Sequence, residues 1–334
     1  MDNITHSLTG LALARAGLNR LSPRATLLLL LSANIPDSDI VMLAKGQFAY
    51  FEAHRGYTHS LLFVPVLAAV CVALVAAIYR QKLPWARAWI VCLIGLASHL
   101  LLDWTNSYGI RPLIPFSSRW FHLDVNGLYD WAILIVLFTA AVWPLFGGLV
   151  SSEIGERARP IGKGSAIFAL TFFVLYDAGR ALMHERAIAE LEARLYEGLP
   201  PIASAALPHA FSPFQWSGIL ETATDYRAVP VNALNQLNTE SAAIYYKPAI
   251  TAGLQNALAT EPFRYFRYFA RYPVWSIEPV TLKQGQGKRF DLTDLRFGRP
   301  GEGSFHCIAL EDSNSQVLQA WFVYGSGANV GRGD

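Results

Sequence analysis

His99 and Asp103 stand four residues apart at the close of an apolar run that begins near Trp85. A helix there puts the imidazole and the carboxylate on one face. Both fall near the end of a membrane-spanning segment, where ionisable groups are costly unless they pair or bind something. The same chemistry recurs nearby in His6, Asp37, Asp39, His54, His59 and Asp124. A mixed His/Asp set suits Zn²⁺, Mn²⁺ or Fe, whereas Mg²⁺ prefers more oxygen. The expected cofactor is therefore one or two divalent ions, Zn or Mn first. Two ions roughly 3.5–4 Å apart would clamp the attacking and leaving oxygens of a hydrolysis at phosphorus or a carbonyl. Arg55, the expected catalytic side chain, and Arg111 would balance a phosphate's remaining charge.

Each residue alone has a plainer reading. His99 and Asp103 could tie two helices together, and Asp37 and Asp39 after Pro36 could form an Asx turn and a helix cap. His54 and His59 could be interfacial residues, and His6 a surface residue near a terminus. His122 and Asp124 share one loop, of which Asp124 is the preferred ligand because Asn126 and Asp130 give that loop an acidic character. The joint case is stronger: five of the eight histidines fall in the first 122 residues, and four of those adjoin apolar segments with Asp nearby.

The elements that must position these residues follow from hydropathy. Residues 4–18 and 24–35 read as short helices capped by Thr5 or Asn3 and opened by Pro23. Twelve residues of helix reach roughly 18 Å, against a hydrocarbon core of roughly 30 Å, so the pair reads as a half-inserted hairpin. A polar loop over 45–60 follows. Four long apolar runs at about 61–79, 85–103, 128–150 and 164–182 each read as a transmembrane helix. Arg80, Lys82 and Arg87 lie between the first two runs, and Arg157, Arg159 and Lys163 between the last two. The positive-inside rule puts both connections in the cytoplasm and the His/Asp residues on the outer face.

From 183 the composition changes. Residues 183–198 read as an amphipathic helix ended by Pro200 and Pro201, and strand-like runs follow at 214–222, 242–247, 274–282, 288–297, 304–311 and 316–324. The expected fold is a mainly α polytopic membrane domain over 1–182, with four long transmembrane helices and the N-terminal hairpin. A small β-rich domain over 183–334 follows it on the periplasmic side. Composition agrees. The 334 residues are 53% hydrophobic and only 16% charged, with mean hydropathy +0.28, and long uncharged runs mark a membrane protein. A formal net charge of +2 with no basic, aromatic-interleaved stripe argues against nucleic acid. Three scattered cysteines give neither a disulfide framework nor a Cys-based zinc site. The opening residues lack the basic region of a signal peptide, so the first segment is expected to stay.

Asn3-Ile4-Thr5-His6 with Gly10, Ile35-Pro36-Asp37-Ser38-Asp39, His54-Arg55-Gly56-Tyr57-Thr58-His59-Ser60 and Ser98-His99-Leu100-Leu101-Leu102-Asp103 occur in that order. Over about residues 1–180 this series resembles the bacterial membrane-bound, predicted metal-dependent hydrolases, the inner-membrane family that includes LexA-regulated members. The tail, with Asp294-Leu295-Arg296-Phe297, looks like the extension of its longer members. The resemblance implies a divalent-metal site at His6, Asp37, Asp39, His54, His59, His99 and Asp103; Asp124 is added from this sequence alone. The expected activity is hydrolysis of a lipid or lipid-linked phosphoester, because a site at the bilayer face meets amphiphiles first. A transporter would spread its ionisable groups across the bilayer, and a scaffold with a structural metal would close the coordination shell.

Overall fold

The computed structural model describes residues 1–153, 162–235, 237, 241–283 and 285–324, with the side chains of 147–153 left aside. Arg157 and Arg159, used in the charge argument above, lie outside the described residues. The chain divides into two compact units, Met1–Ile40 with Ala53–His184 and Pro208–Phe214, and Val41–Glu52 with Glu185–Leu207 and Gln215–Asp334.

The first unit is helical. Helix α1 (Asn3–Ala16) is capped by Asp2, whose carboxylate accepts from the Ile4 and Thr5 amides, so the cap lies one residue before Asn3 and three before Thr5. Helix α2 (Ala25–Ser32) is apolar throughout. It stops because Pro36 cannot continue it and disfavours helical backbone just before itself; a 3₁₀ segment, Ile35–Lys45, follows at 45°. Helix α4 (Val64–Tyr79), α5 (Trp85–Trp104), α6 (Trp131–Glu153) and α7 (Lys163–Glu192) come next. Among the described residues α5 and α7 are long and apolar enough to cross a membrane alone, and there are up to four spans if each of two bent helix pairs counts as one. The reading of four long spans is thus met only as two to four. Helix α7 runs unbroken through 30 residues, so the last apolar run and the start of the amphipathic stretch are one helix.

Helices α1, α2, α4 and α5 pack together around Leu28, Leu29, Val72, Val91, Leu96 and the buried thiols of Cys71 and Cys92. In a lipid-facing bundle small residues let backbones approach. Gly95 does this for α5 against α2, since a Cβ there would lie 2.0 Å from Ser32 Oγ and 3.3 Å from the Leu29 carbonyl oxygen. Gly95→Ala is therefore expected to cost about 1–3 kcal/mol by overpacking, read as a lower unfolding midpoint in detergent. An unchanged midpoint would mean that α2 shifts freely.

The second unit holds two four-stranded sheets. One comprises β1 (Ala203–Pro208), β2 (Gln215–Glu221), β3 (Asp225–Asn232) and β4 (Ala243–Tyr246) in that order; the other, β5 (Pro273–Leu282), β6 (Gly285–Asp294), β7 (Phe305–Glu311) and β8 (Val317–Tyr324). Consecutive strands from β2 to β4 and from β5 to β8 pair antiparallel. Two helices, α8 (Ala252–Ala259) and α9 (Glu261–Phe269), lie against β7 and β8. So does α3 (Gln47–Ala53), whose Phe51 is fully buried among aromatic rings. A helix thus stands inside what read as a polar loop. Cys307 is buried in β7.

His306 on β7 is buried, with Nδ1 2.7 Å from Asp291 Oδ1 and Nε2 2.7 Å from the Gly303 carbonyl oxygen. Both partners accept, so both ring nitrogens donate and the ring is an imidazolium. Burial opposes that charge, but the hydrogen bond and charge of Asp291 outweigh it and raise the pKa above the ordinary 6.5. A raised value adds stability that is complete below the unfolded-state pKa and is lost as pH climbs through the folded one. Stability of this unit should fall with a steeper slope above about pH 6.5 than in a His306→Gln chain. Denaturant midpoints across that range decide it; parallel slopes would reject the imidazolium.

Candidate metal centre

Four side chains from three segments converge in the helical unit. Asp37 comes from the 3₁₀ segment, His59 from the loop before α4, and His99 and Asp103 from consecutive turns of α5. The separations between donor atoms fall in a narrow range. His59 Nε2 and His99 Nε2 are 3.1 Å apart. His59 Nε2 lies 3.6 Å from Asp37 Oδ1 and 3.3 Å from Asp103 Oδ2. His99 Nε2 lies 3.7 and 3.5 Å from the same two oxygens. Bonds of about 2.0–2.1 Å to one tetrahedral ion would put ligands roughly 3.3 Å apart. Asp103 Oδ2 is buried and accepts no hydrogen bond. The donor set and its spacing fit a divalent ion such as Zn²⁺.

Local structure fixes both imidazoles. Past the end of α2 the Asp37 amide bonds the Asn34 carbonyl at 3.1 Å, which leaves the Ala33 carbonyl oxygen for His99 Nδ1 at 2.7 Å. A carbonyl only accepts, so Nδ1 carries the hydrogen and the Nε2 lone pair faces the centre. For His59, Nδ1 meets Thr58 Oγ1 at 3.0 Å, and that hydroxyl donates to Asp39 Oδ2 at 3.2 Å. The hydroxyl hydrogen is thereby directed to the carboxylate, so His59 Nδ1 donates and its Nε2 lone pair also points inward. The network assigns both tautomers. Two nitrogen lone pairs 3.1 Å apart repel unless a proton or a metal ion lies between them.

The other expected residues surround this group. Asp39 is a hub: it meets His54 Nδ1 at 3.1 Å and accepts the Arg55 amide at 3.1 Å. Asp37, Asp39 and His54 form a second ligand group that shares Asp37 with the first. His6 is fully buried, stacks on the His99 ring at 3.9 Å and puts Nε2 3.4 Å from Asp103 Oδ1. Arg55 was expected to hold a phosphate. Its guanidinium is instead engaged within the chain, by Asp103 Oδ1, Asn106 Oδ1 and the Gly109 carbonyl oxygen, each at 3.0 Å. It also lies over the Tyr108 ring at 4.7 Å. The Met1 amino group also contacts Asp103 Oδ1. Arg111 Nη2 donates to the His54 carbonyl oxygen at 3.0 Å. Asp124 belongs to neither ligand group; it lies 3.2 Å from His122. The sequence reading missed Thr58 and the Ala33 carbonyl, and the Thr58-His59 adjacency was the available signal for the first. A spacing of three residues on α7 would pair Asp177 with Arg180, yet Arg180 bonds Asp130 at 3.2 Å while Asp177 accepts from Asn126 at 2.9 Å.

Asp37 is the partly exposed member of the four, and the other three are buried. The centre is therefore reached from the side of Asp37 and His54.

No solved structure matches the chain. The uncharacterised protein YfhP of Bacillus subtilis (strain 168) is 29% identical over 154 residues, which cover 43% of this chain and 46% of YfhP. The chain thus spans less than half the length of that relative. The inner membrane protein YbcI of Escherichia coli (strain K12) is 32% identical over 122 residues, 35% of this chain and 69% of YbcI. The family described as YdjM inner membrane protein matches residues 1–187, which include both candidate ligand groups. The motif resemblance is borne out, and the chain belongs to the YdjM inner membrane protein family.

Proposed function

We propose that the chain is a membrane-embedded, metal-dependent hydrolase of lipid or lipid-linked phosphoesters, with Asp37, His59, His99 and Asp103 as ligands. The observation that carries this reading is the pair of Nε2 atoms 3.1 Å apart, each ring held through its Nδ1, beside two carboxylates. A divalent ion held there, Zn or Mn, would supply Lewis-acid activation of water for attack on an ester. The chain's own residues do the rest. Arg55 balances and orients Asp103 through Oδ1, leaving Oδ2 for the ion. His54 sits half-buried beside Asp37 and Asp39, with Nδ1 3.1 Å from Asp39 Oδ1. In the reaction a water oxygen bonds phosphorus, the phosphorus–alkoxide bond breaks, and the proton lost by the water ends on the leaving oxygen.

The lipid class rests on the apolar side chains next to the ligands in sequence, Ile40, Tyr57, Leu61 and Leu62, each more than half exposed. Such side chains fit acyl chains better than water. The charge bias of the connections supports a periplasmic side for this entrance and for the C-terminal unit. The test is release of phosphate or alcohol from synthetic phospholipids and polyprenyl phosphates by the full chain in detergent. Turnover should need Zn²⁺ or Mn²⁺ and stop on chelation. A metal-loaded chain that hydrolyses none of them would reject the substrate class. A single ion with a closed shell would instead favour the scaffold.

A further inference from the structure

The helices that bring the ligands together carry their other charges at the opposite end. His6 opens α1 and Arg15 closes it; Arg24 precedes α2 and Asp37 follows it. His59 precedes α4 and Arg80 follows it; Arg87 opens α5, and His99 and Asp103 close it. Between Asp2 and Asp37, and between Glu52 and Asp103, the sequence holds no Asp or Glu. Arg55 apart, the basic residues of those two stretches gather at two turns. Arg15, Arg20 and Arg24 lie around the α1–α2 connection, and Arg80, Lys82 and Arg87 around the α4–α5 connection.

Both turns belong to the helical unit, and they meet in space. The Arg24 guanidinium lies over the Tyr79 ring at 4.1 Å, and Leu18 and Leu83, one from each turn, pack on the same apolar core. On α5, Arg87 and His99 are twelve residues apart, roughly 18 Å of helix, so this surface is separate from the ligand groups. Arg15 is half-buried, with Nη1 donating to the Ala141 carbonyl oxygen at 2.6 Å. The other five basic side chains are exposed. Among the described residues none of the six is paired with a carboxylate.

Two of the arginines are held where glycine would fit more easily. Arg24 has φ 63° and Arg80 φ 49°, left-handed backbone that few non-glycine residues adopt. Arg80 occupies the left-handed position that ends α4, which glycine most often fills. Residues held in this way cluster at ligand clamps. The stack on Tyr79 covers one face of the Arg24 guanidinium and leaves its in-plane N–H donors for an anion. Tyr79 and Trp85 are exposed, as are Leu21 and Ile78 beside them. Such aromatic side chains sit at the headgroup level of a bilayer.

We propose that these two turns form a binding surface for the headgroup of an anionic phospholipid, with its phosphate diester in the in-plane fork of Arg24 and beside Arg80. A guanidinium matches phosphate with two parallel hydrogen bonds, and uncompensated Lys and Arg beside a bilayer attract anionic lipid. A lipid is favoured over a soluble anion because the charges ring the end of an apolar bundle, next to exposed Leu21 and Ile78 that suit acyl chains. The surface does not depend on the metal reading.

The experiment uses the full chain in a neutral detergent. Unfolding midpoints are measured with phosphatidylglycerol or with phosphatidylcholine of the same acyl chains, and retained lipid is counted by native mass spectrometry. Phosphatidylglycerol should be retained and should raise the midpoint, phosphatidylcholine should do neither, and added salt should shrink the gain. In Arg24→Gln/Arg80→Gln the affinity for phosphatidylglycerol should fall about fivefold for each charge removed. Arg24→Gly/Arg80→Gly also relieves the left-handed backbone. Without lipid it should unfold no earlier than wild type, and it should gain little from phosphatidylglycerol, which separates binding from folding. Equal gains from the two lipids in the wild-type chain, or a full gain kept by either double variant, would overturn the proposal. An equal gain from inorganic phosphate alone would replace the lipid with a soluble anion and reject it. Preference for poly-glutamate over phosphatidylglycerol would hand the surface to an acidic protein and reject it too. Should both double variants fail to fold, Arg20→Gln/Lys82→Gln decides: undiminished affinity there would sink the site.

Discussion

Asp103→Asn is expected to strip the purified chain of its ion, taking metal content from near one per chain to background. The carboxylate bridges two tasks. Oδ2 faces both histidine nitrogens at 3.3 and 3.5 Å, and Oδ1 receives Arg55 at 3.0 Å. An amide keeps the shape but loses the negative charge that offsets the ion, so affinity should fall by about 10³-fold, ~4 kcal/mol at 1.4 kcal/mol per decade. His99→Ala removes one of the two opposed nitrogens and should have a similar effect. Asp124→Asn is the contrast: Asp124 faces His122 and should leave metal content as it is. Retention of the ion by Asp103→Asn, or an equal loss in Asp124→Asn, would show that the ion sits elsewhere.

The second large effect is on stability. Arg55→Ala leaves the Asp103 charge buried without its strongest fixed counter-charge, and removal of one partner from a buried pair typically costs about 3–5 kcal/mol. Arg55 is 3% exposed and also bonds Asn106 and Gly109, so solvent cannot replace it. Lysine should recover little, because one ammonium cannot reproduce a planar fork directed at three acceptors. Saturating Zn²⁺ should return part of the loss, since the ion offsets the same carboxylate. Unfolding midpoints in detergent, with and without Zn²⁺, give the answer. A metal-free Arg55→Ala chain within about 1 kcal/mol of wild type would mean that Asp103 is protonated or hydrated there.

What the sequence made legible follows from how local each signal is. His99 and Asp103 share a helix face by spacing alone, and the apolar runs announce the helices that carry them. Six of the eight strands lie where apolar and β-branched runs are bounded by turn residues. Strand β3 was invisible because Pro230 stands in a strand paired on both sides, and β1 because its Ala-rich run lacks β-branched residues. Helix α3 has seven residues, too few to show a period, and its one strong apolar anchor, Phe51, declares itself only against rings more than 200 residues later. Helix α9 was hidden by an aromatic run, Phe263 to Phe269, that reads equally as strand, and α8 by its eight-residue length. The tautomers of His59 and His99 depend on Thr58 and on a carbonyl freed by a helix break, which no residue pattern encodes. Asp124 differs: its partner His122 stands two residues away in the same loop, a pairing that the sequence already displays.

All three cysteines are buried, two between the helices of the first unit and one in a central strand of the second. The folded chain should therefore be almost silent to maleimides, and a thiol placed by design would be the single reactive one. Glu197→Cys suits this purpose, since Glu197 is 65% exposed and lies in the second unit. In intact cells a membrane-impermeant maleimide should reach it if that unit faces the periplasm. Labelling only after the cells are opened would turn the whole topology over, metal entrance included. The same silence makes the native chain its own blank, so the orientation of every connection can be mapped one thiol at a time without first removing a cysteine.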